Sequence, residues 1–367
     1  MKVLFVFGTR PEGIKMAPII KEIEKRKDLE SYTCVTGQHR EMLDQVLEIF
    51  DIEPDYDLNI FKKGQSLTDV TTKTLLGLED ILDELKPDIL LVQGDTTTVF
   101  AAALAAFYKK IKIGHVEAGL RSGNLYSPYP EEANRKLTGV LSNYHFAPTE
   151  SNRQNLLREG YDDKNIFITG NTVIDALKYS VKEDFLFDDE ILNNLDYNKD
   201  VVLLTAHRRE NWGEPMENIF SAIRQVVLER ENIEIVFPIH LNPIVRNTAK
   251  KYFSDLDRVH LIEPLSYLPF SNLMARVKFV VTDSGGVQEE APALGKPVLV
   301  LRNETERMEG VEAKTAKLVG TRSQDVYDSI IRLLDDKNLY EEMAKAVNPY
   351  GDGHAAKKIV DILEKMN

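Results

Sequence analysis

Short runs of Val, Ile, Leu and Phe with no polar face recur along the whole chain, separated by longer stretches of helical periodicity. A strand apolar at every position must be covered on both sides, and a parallel sheet wrapped by crossover helices does this. In the first half such runs fall at 2–7, 31–36, 89–92, 112–116, 145–147 and 166–168. The spacer 14–27 sets Ile19, Ile20 and Ile23 at helical spacing and ends in charged residues. From 181 to 200 the chain is acidic, Asn-rich and aperiodic, which marks a boundary region. The runs then resume at 201–205, 234–238, 259–262, 279–282, 297–301 and 316–319. Two βα arrays in tandem predict an α/β chain of two Rossmann-like parallel-sheet domains facing an interdomain cleft. The predicted division is 1–170 and 171–353; a last helix at 354–367 has no strand after it and can return to either domain, and is assigned to the first.

Composition narrows the function. The formal charge of −13 opposes nucleic-acid binding, because such a surface repels phosphate backbones. One cysteine, Cys34, cannot form an internal disulfide, and seven histidines without a Cys cluster or an HExxH pair give no metal signal. The opening apolar run is too short for a secretory segment and 99–108 too short for a membrane span, so a cytoplasmic protein without membrane insertion is expected.

In open parallel sheets ligands lie beyond the carboxyl ends of the strands. The first strand is followed by Gly8-Thr9-Arg10 and Lys15, either an anion-binding turn beside a helix start or a turn with solvated charges. After 89–92 comes Gln93-Gly94-Asp95-Thr96, where Asp95 is a catalytic carboxylate or, with the threonines, a candidate helix cap. The strand 112–116 ends at Glu117, and the next helix opens with Glu131, four residues before Arg135, the spacing of an ordinary ion pair. Three carboxylates from consecutive strand ends, Asp95, Glu117 and Glu131, can nevertheless converge, and clustered carboxylates raise one another's pKa.

The second half repeats the pattern. Thr205-Ala206-His207-Arg208-Arg209 puts cationic groups at a strand end in an acidic chain, which points to an anionic ligand. His240 holds the same topological place one strand later, where a structural role is the commoner one. Asp283-Ser284-Gly285-Gly286 ends a strand and opens a helix, a geometry that lets backbone N–H groups meet a diphosphate, with Glu290 placed for ribose hydroxyls. Phe270 offers a ring to a base or to the core, and Arg307 follows another strand.

With these residues in view, the whole chain resembles the non-hydrolysing UDP-N-acetylglucosamine 2-epimerases. The matching blocks are GTRPEGIKMAP, QGDTTT, GHVEAGLRSG, YPEEANR, TGNTVIDAL, TAHRRENWGEP, PIHLNP, TDSGGVQEEAPALGKPVLVLR and NPYGDGHAA, in family order from residue 8 to 356. The resemblance implies the GT-B architecture, a homodimer, and reversible conversion of UDP-N-acetylglucosamine to UDP-N-acetylmannosamine with no cofactor required. It implies elimination of UDP to a 2-acetamidoglucal and re-addition, supplying sugar for surface polysaccharide or glycan synthesis. By similarity Asp95, Glu117 and Glu131 match the proton-transfer carboxylates and His207 the histidine at the departing diphosphate. Arg10 and Lys15 match contacts near sugar and phosphates, and Arg135 a residue orienting Glu131. Ser284, Gly285 and Gly286 match the diphosphate cradle, Glu290 the ribose contact, Phe270 the uracil side and Arg307 a further contact, while His240 matches a family histidine of open role.

Gln38, His39 and Gln45 resemble a second nucleotide-sugar site. Gly64 stands there where relatives carry arginine; Met308 and Leu265 depart from the pattern near the uridine. Three other functions fit parts of the pattern: a GT-B glycosyltransferase, a hydrolysing relative, and a catalytically silent nucleotide-sugar sensor.

Overall fold

A computed structural model describes residues 1–37 and 40–366. The chain forms two compact units, one of Met1–Tyr179 joined by the stretch that begins at Tyr350, the other of Ser180–Pro349.

The first unit holds a seven-stranded sheet of β1 (Lys2–Phe7), β2 (Glu30–Val35), β3 (Tyr56–Asp57), β4 (Ile89–Gln93), β5 (Lys112–Val116), β6 (Tyr144–Ala147) and β7 (Ile166–Ile168). All pairs are parallel and the order is β3-β2-β1-β4-β5-β6-β7. Alternate residues of β1 and β4, Leu4, Val6, Leu90 and Val92, pack with Leu78, Leu82, Val99 and Ala102 of the helices Leu67–Leu85 and Thr97–Tyr108. Val3, Phe5 and Phe7 of β1 are equally buried, which is why its run is continuous. The edge pair β3 escapes prediction because it has two residues, pairs on one side only and contains no apolar run.

The second unit holds a six-stranded parallel sheet of β8 (Asp200–Thr205), β9 (Ile233–Pro238), β10 (Val259–Ile262), β11 (Phe279–Thr282), β12 (Val298–Val300) and β13 (Ala316–Leu318). Its order is β10-β9-β8-β11-β12-β13. In each sheet the strand order reverses once, between β1 and β4 and between β8 and β11. Loops leaving those strands diverge, and the crevice they open is the usual ligand position of such sheets.

Three boundaries differ from expectation. The first helix is Arg10–Ile23, not 14–27, because Thr9 and Glu12 form a capping box with Pro11 in the first turn. The first unit runs to Tyr179 and not to 170, because the helix Thr172–Ser180 buries Val173, Ile174, Ala176 and Leu177 and carries Asp175. That carboxylate accepts N–H bonds from Ala355 and Ala356 at 3.1 and 2.9 Å, which ties the last helix, Ala355–Met366, to this unit. Chain return falls at Tyr350, whose carbonyl accepts the Asn171 N–H at 2.7 Å. Among the described residues no helix is long and apolar enough to cross a membrane.

Candidate active site

At the first sheet's reversal, the loops after β1 and β4 are tied by one buried acid. Glu12 accepts the Gly8 and Thr9 N–H groups at 2.7 and 2.8 Å, and the Thr96 hydroxyl donates to its other oxygen. Burial raises the pKa of Glu12 against those bonds. Thr96, not Asp95, caps the helix Thr97–Tyr108, its hydroxyl accepting from Val99 N–H at 3.3 Å. The Asp95 carboxylate is thereby left for Arg135, at 3.0 Å.

Glu117, directly after β5, has φ 63°, and Gly119 has φ 90° with the Asn152 carbonyl 2.3 Å from where a Cβ would stand. This turn aims the Glu117 carboxylate at a set of donors. Lys15 Nζ lies 2.7 Å from both its oxygens, Asn171 Nδ2 donates to Oε1 at 3.1 Å, and the Gln93 amide donates to Oε2. Below it, His115 meets the Gly94 carbonyl at 2.7 Å through Nε2, and burial pushes its imidazole down to about 4, so it is neutral.

Glu131 opens the helix Glu131–Leu141, and its Oε2 is buried without a hydrogen-bond partner among the described residues. The three carboxylates do share one neighbourhood. Burial raises the pKa of Asp95, Arg135 and Lys15 lower it, and the charges of Glu117 and Glu131 raise it further. The expected pairing of Arg135 with the Glu131 carboxylate is corrected. Arg135 Nε donates to the Glu131 main-chain carbonyl at 3.3 Å and lies 3.4 Å from Glu132, which is fully buried and fixed by the Ser122 and Gly123 N–H groups at 3.0 and 3.2 Å. With its guanidinium held by Asp95 and Glu132, Arg135 does not pair with the Glu131 carboxylate. Arg10 begins the first helix, and its guanidinium makes no ion pair among the described residues.

At the second sheet's reversal, His207 follows β8 and Asp283 follows β11. Asp283 is fully buried, and His207 Nδ1 lies 3.3 Å from its Oδ1. The His240 ring stacks on His207 with centroids 5.7 Å apart and planes at 18°. Burial depresses the His207 pKa, Asp283 opposes this, and His240 and Arg208 add to it. The helix Gly285–Ala293 starts without a side-chain cap and without an acidic residue in its first turn, so its N–H groups and positive dipole end remain available to an anion. Arg307 lies over this start, Nη1 2.5 Å from where a Cβ on Gly285 would stand, anchored by Glu289 at 2.7 Å. Glu290 folds back toward the same turn, Oε1 3.4 Å from a Cβ position on Gly286. Phe270 and Leu265 are partly buried and pack against the core on one face of the second sheet.

Of the second-site residues, Gln45 is exposed on the helix Arg40–Ile49, and Gln38 and His39 lie outside the described residues. Gly64 is exposed with φ 75°, a conformation costly for arginine. Sequence reasoning passed over Glu12, Gln93, Glu132, Asn171 and Asp283. Glu12 carried a local signal, the Thr9-x-x-Glu12 box, and Glu132 the i,i+3 spacing to Arg135; Gln93, Asn171 and Asp283 act through contacts distant in sequence.

Two parallel-sheet units, one with a carboxylate cluster and one with an uncapped helix start under an arginine, define an α/β enzyme of the GT-B type. The family model described as UDP-N-acetylglucosamine 2-epimerase matches residues 21–364. A UDP-N-acetylglucosamine 2-epimerase of Bacillus subtilis is 55% identical over 99% of this chain and 95% of its own. The crystal structure of UDP-GlcNAc 2-epimerase from Neisseria meningitidis bound to UDP-GlcNAc is 53% identical, with TM-score 0.88 and 100% of both chains covered. That of the Methanocaldococcus jannaschii enzyme in complex with UDP-GlcNAc and UDP is 36% identical, TM-score 0.76, again over 100% of both chains. The chain belongs to the UDP-N-acetylglucosamine 2-epimerase family and is an isomerase.

Proposed function

We propose that this chain interconverts UDP-N-acetylglucosamine and UDP-N-acetylmannosamine by elimination and re-addition of UDP, with no cofactor. The observation that carries the proposal is the cluster of Asp95, Glu117 and Glu131, in which one buried oxygen, Glu131 Oε2, has no protein partner among the described residues. A site that only binds a nucleotide sugar has no need of a buried carboxylate oxygen left without a protein partner beside two other acids. Glu117 receives N–H donors on both oxygens and so stays an anion. Asp95, with its raised pKa, is suited to hold a proton, and Glu131, whose Oε2 has no protein partner among the described residues, is assigned the other carboxylate role.

In this reading a carboxylate removes the C2 proton as the C1–O bond breaks and its electron pair leaves with UDP. The 2-acetamidoglucal is then protonated at C2 on the opposite face, and UDP adds back at C1. Gly285, Gly286 and Ser284 hold the diphosphate, Arg307 and His207 meet its charge, and Glu290 accepts from the ribose. Arg10 and Lys15 contact sugar and phosphate, Phe270 takes the uracil side, and His240 backs His207. We place the enzyme in the cytoplasm as a homodimer, its product feeding surface polysaccharide or glycan synthesis.

The test is incubation with UDP-N-acetylglucosamine in D2O, followed by NMR and mass spectrometry. Reversible epimerisation with deuterium at C2 is expected. Free N-acetylmannosamine with UDP would mean hydrolysis, acceptor-dependent loss of the nucleotide sugar a transferase, and binding without turnover a sensor. Glu131→Gln should stop deuterium uptake while UDP affinity stays within about 10-fold, or roughly 1.4 kcal/mol.

A further inference from the structure

We infer that Asp283 is a positioning residue for His207, its buried carboxylate fixing the imidazole so that Nε2 is the nitrogen offered to the departing diphosphate. The inference rests on the role proposed above for His207. Asp283 Oδ2 accepts the His207 and Arg208 N–H groups, each at 2.9 Å, and the Asn211 amide at 3.1 Å. Those bonds alone would hold the loop after β8. Oδ1 has a longer contact with the His207 N–H, 3.2 Å, and faces the ring at Nδ1, 3.3 Å away. Arg208 does not compete for this oxygen, because its Nε donates to the Asp283 main-chain carbonyl at 3.0 Å.

The ring thus has a carboxylate oxygen beside its Nδ1 edge and His240 stacked on one face, while its side chain keeps 40% of its surface exposed. An anionic oxygen 3.3 Å from Nδ1 attracts an N–H there and repels a lone pair, so the neutral ring favours its proton on Nδ1 and leaves Nε2 basic. When His207 is protonated, the Nε2 proton is the one passed to the diphosphate oxygen as the C1–O bond breaks, and it returns to Nε2 as UDP adds back. The charged and titratable groups facing the ring are Asp283, His240 and Arg208.

The first test needs no variant at Asp283. In wild-type enzyme labelled with 15N-histidine, the His207 signals are assigned by their loss in His207→Asn. Neutral His207 protonated at Nδ1 is expected, and protonation at Nε2 would overturn the inference. The second test is kinetic. Asp283→Asn should lower kcat by roughly 10- to 1,000-fold with KM nearly unchanged, and should move the high-pH limb governed by His207 to lower pH, since a carboxylate favours the imidazolium. In a His207→Asn background the same change should cost less than about 3-fold more. A full multiplicative loss in the double variant would make Asp283 a scaffold only, against the inference. Wild-type turnover by His207→Asn alone would instead defeat the role given to His207, a different failure that leaves the tautomer result to stand by itself.

Discussion

Glu117 shows how a strained backbone position is held by the contacts of its own side chain. Its φ of 63° lies in the left-handed region, which costs a residue with a Cβ on the order of 1–2 kcal/mol. The conformation is tolerated because Lys15, Gln93 and Asn171 all bind the carboxylate it presents. Glu117→Ala and Glu117→Gly both lose those bonds, so the difference between them isolates the backbone cost. Glycine is expected to be the more stable by about 1 kcal/mol in urea unfolding, with neither variant epimerising. Gly285 is constrained from the opposite side, by space. A methyl there would meet the Arg307 guanidinium at 2.5 Å, and a flexible side-chain end can retreat. Gly285→Ala should therefore keep its melting temperature yet bind UDP at least about 10-fold more weakly by calorimetry, because the retreat moves the cation away from the helix start.

At the scale of elements, β5 and β6 bring two buried histidines side by side, His115 and His145 being partners in register. The His145 ring packs on Tyr161 at 4.7 Å, and burial, with smaller contributions from His115 and Arg121, pushes its pKa down to about 3. The unfolded chain protonates this group near 6.5, so between pH 6.5 and about 3 it binds more protons than the fold, and stability is lost as pH falls. Against His145→Phe, which keeps a ring on Tyr161, wild type should lose up to about 1.4 kcal/mol per pH unit across that window in denaturant titrations. Strands like these were legible in the sequence because burial on both faces leaves an unbroken apolar run, and so were the loops that follow them. Illegible were elements too short to carry an apolar run, such as β3, and choices between adjacent acids. Nothing local tells that Arg135 would pair with Asp95 and Glu132 and not with Glu131, since Asp95 is distant in sequence. The cap at Thr96 was one of several readings there, and only the fold frees Asp95. Asp283 was visible as a strand end, whereas its hold on His207 comes from the β8–β11 pairing.

For the molecule as a whole, the likeness to relatives spans the chain, and so does the wiring of the first unit. Asp175 satisfies the first N–H groups of the helix Ala355–Met366, 180 and 181 residues further on, and Arg26 pairs with Asp361 and Glu364 of the same helix at 2.7 and 3.2 Å. Asp175→Ala should destabilise the first unit by about 1–2 kcal/mol, leaving UDP affinity unchanged, as calorimetry with and without UDP would register. If both transitions dropped equally, the capping would matter to more than the unit that contains it.

The two crossings at Tyr179 and Tyr350 also order events during translation. A ribosome emits Ser180–Pro349 as one uninterrupted piece, so that unit can condense as soon as it emerges. The unit made first is completed only when the closing helix, with Ile359, Val360 and Leu363, leaves the exit tunnel and covers the remaining face of the helix Arg10–Ile23. The amino-terminal unit is thus the last to be completed, and until then the face that the closing helix covers is apolar surface of the kind chaperones bind.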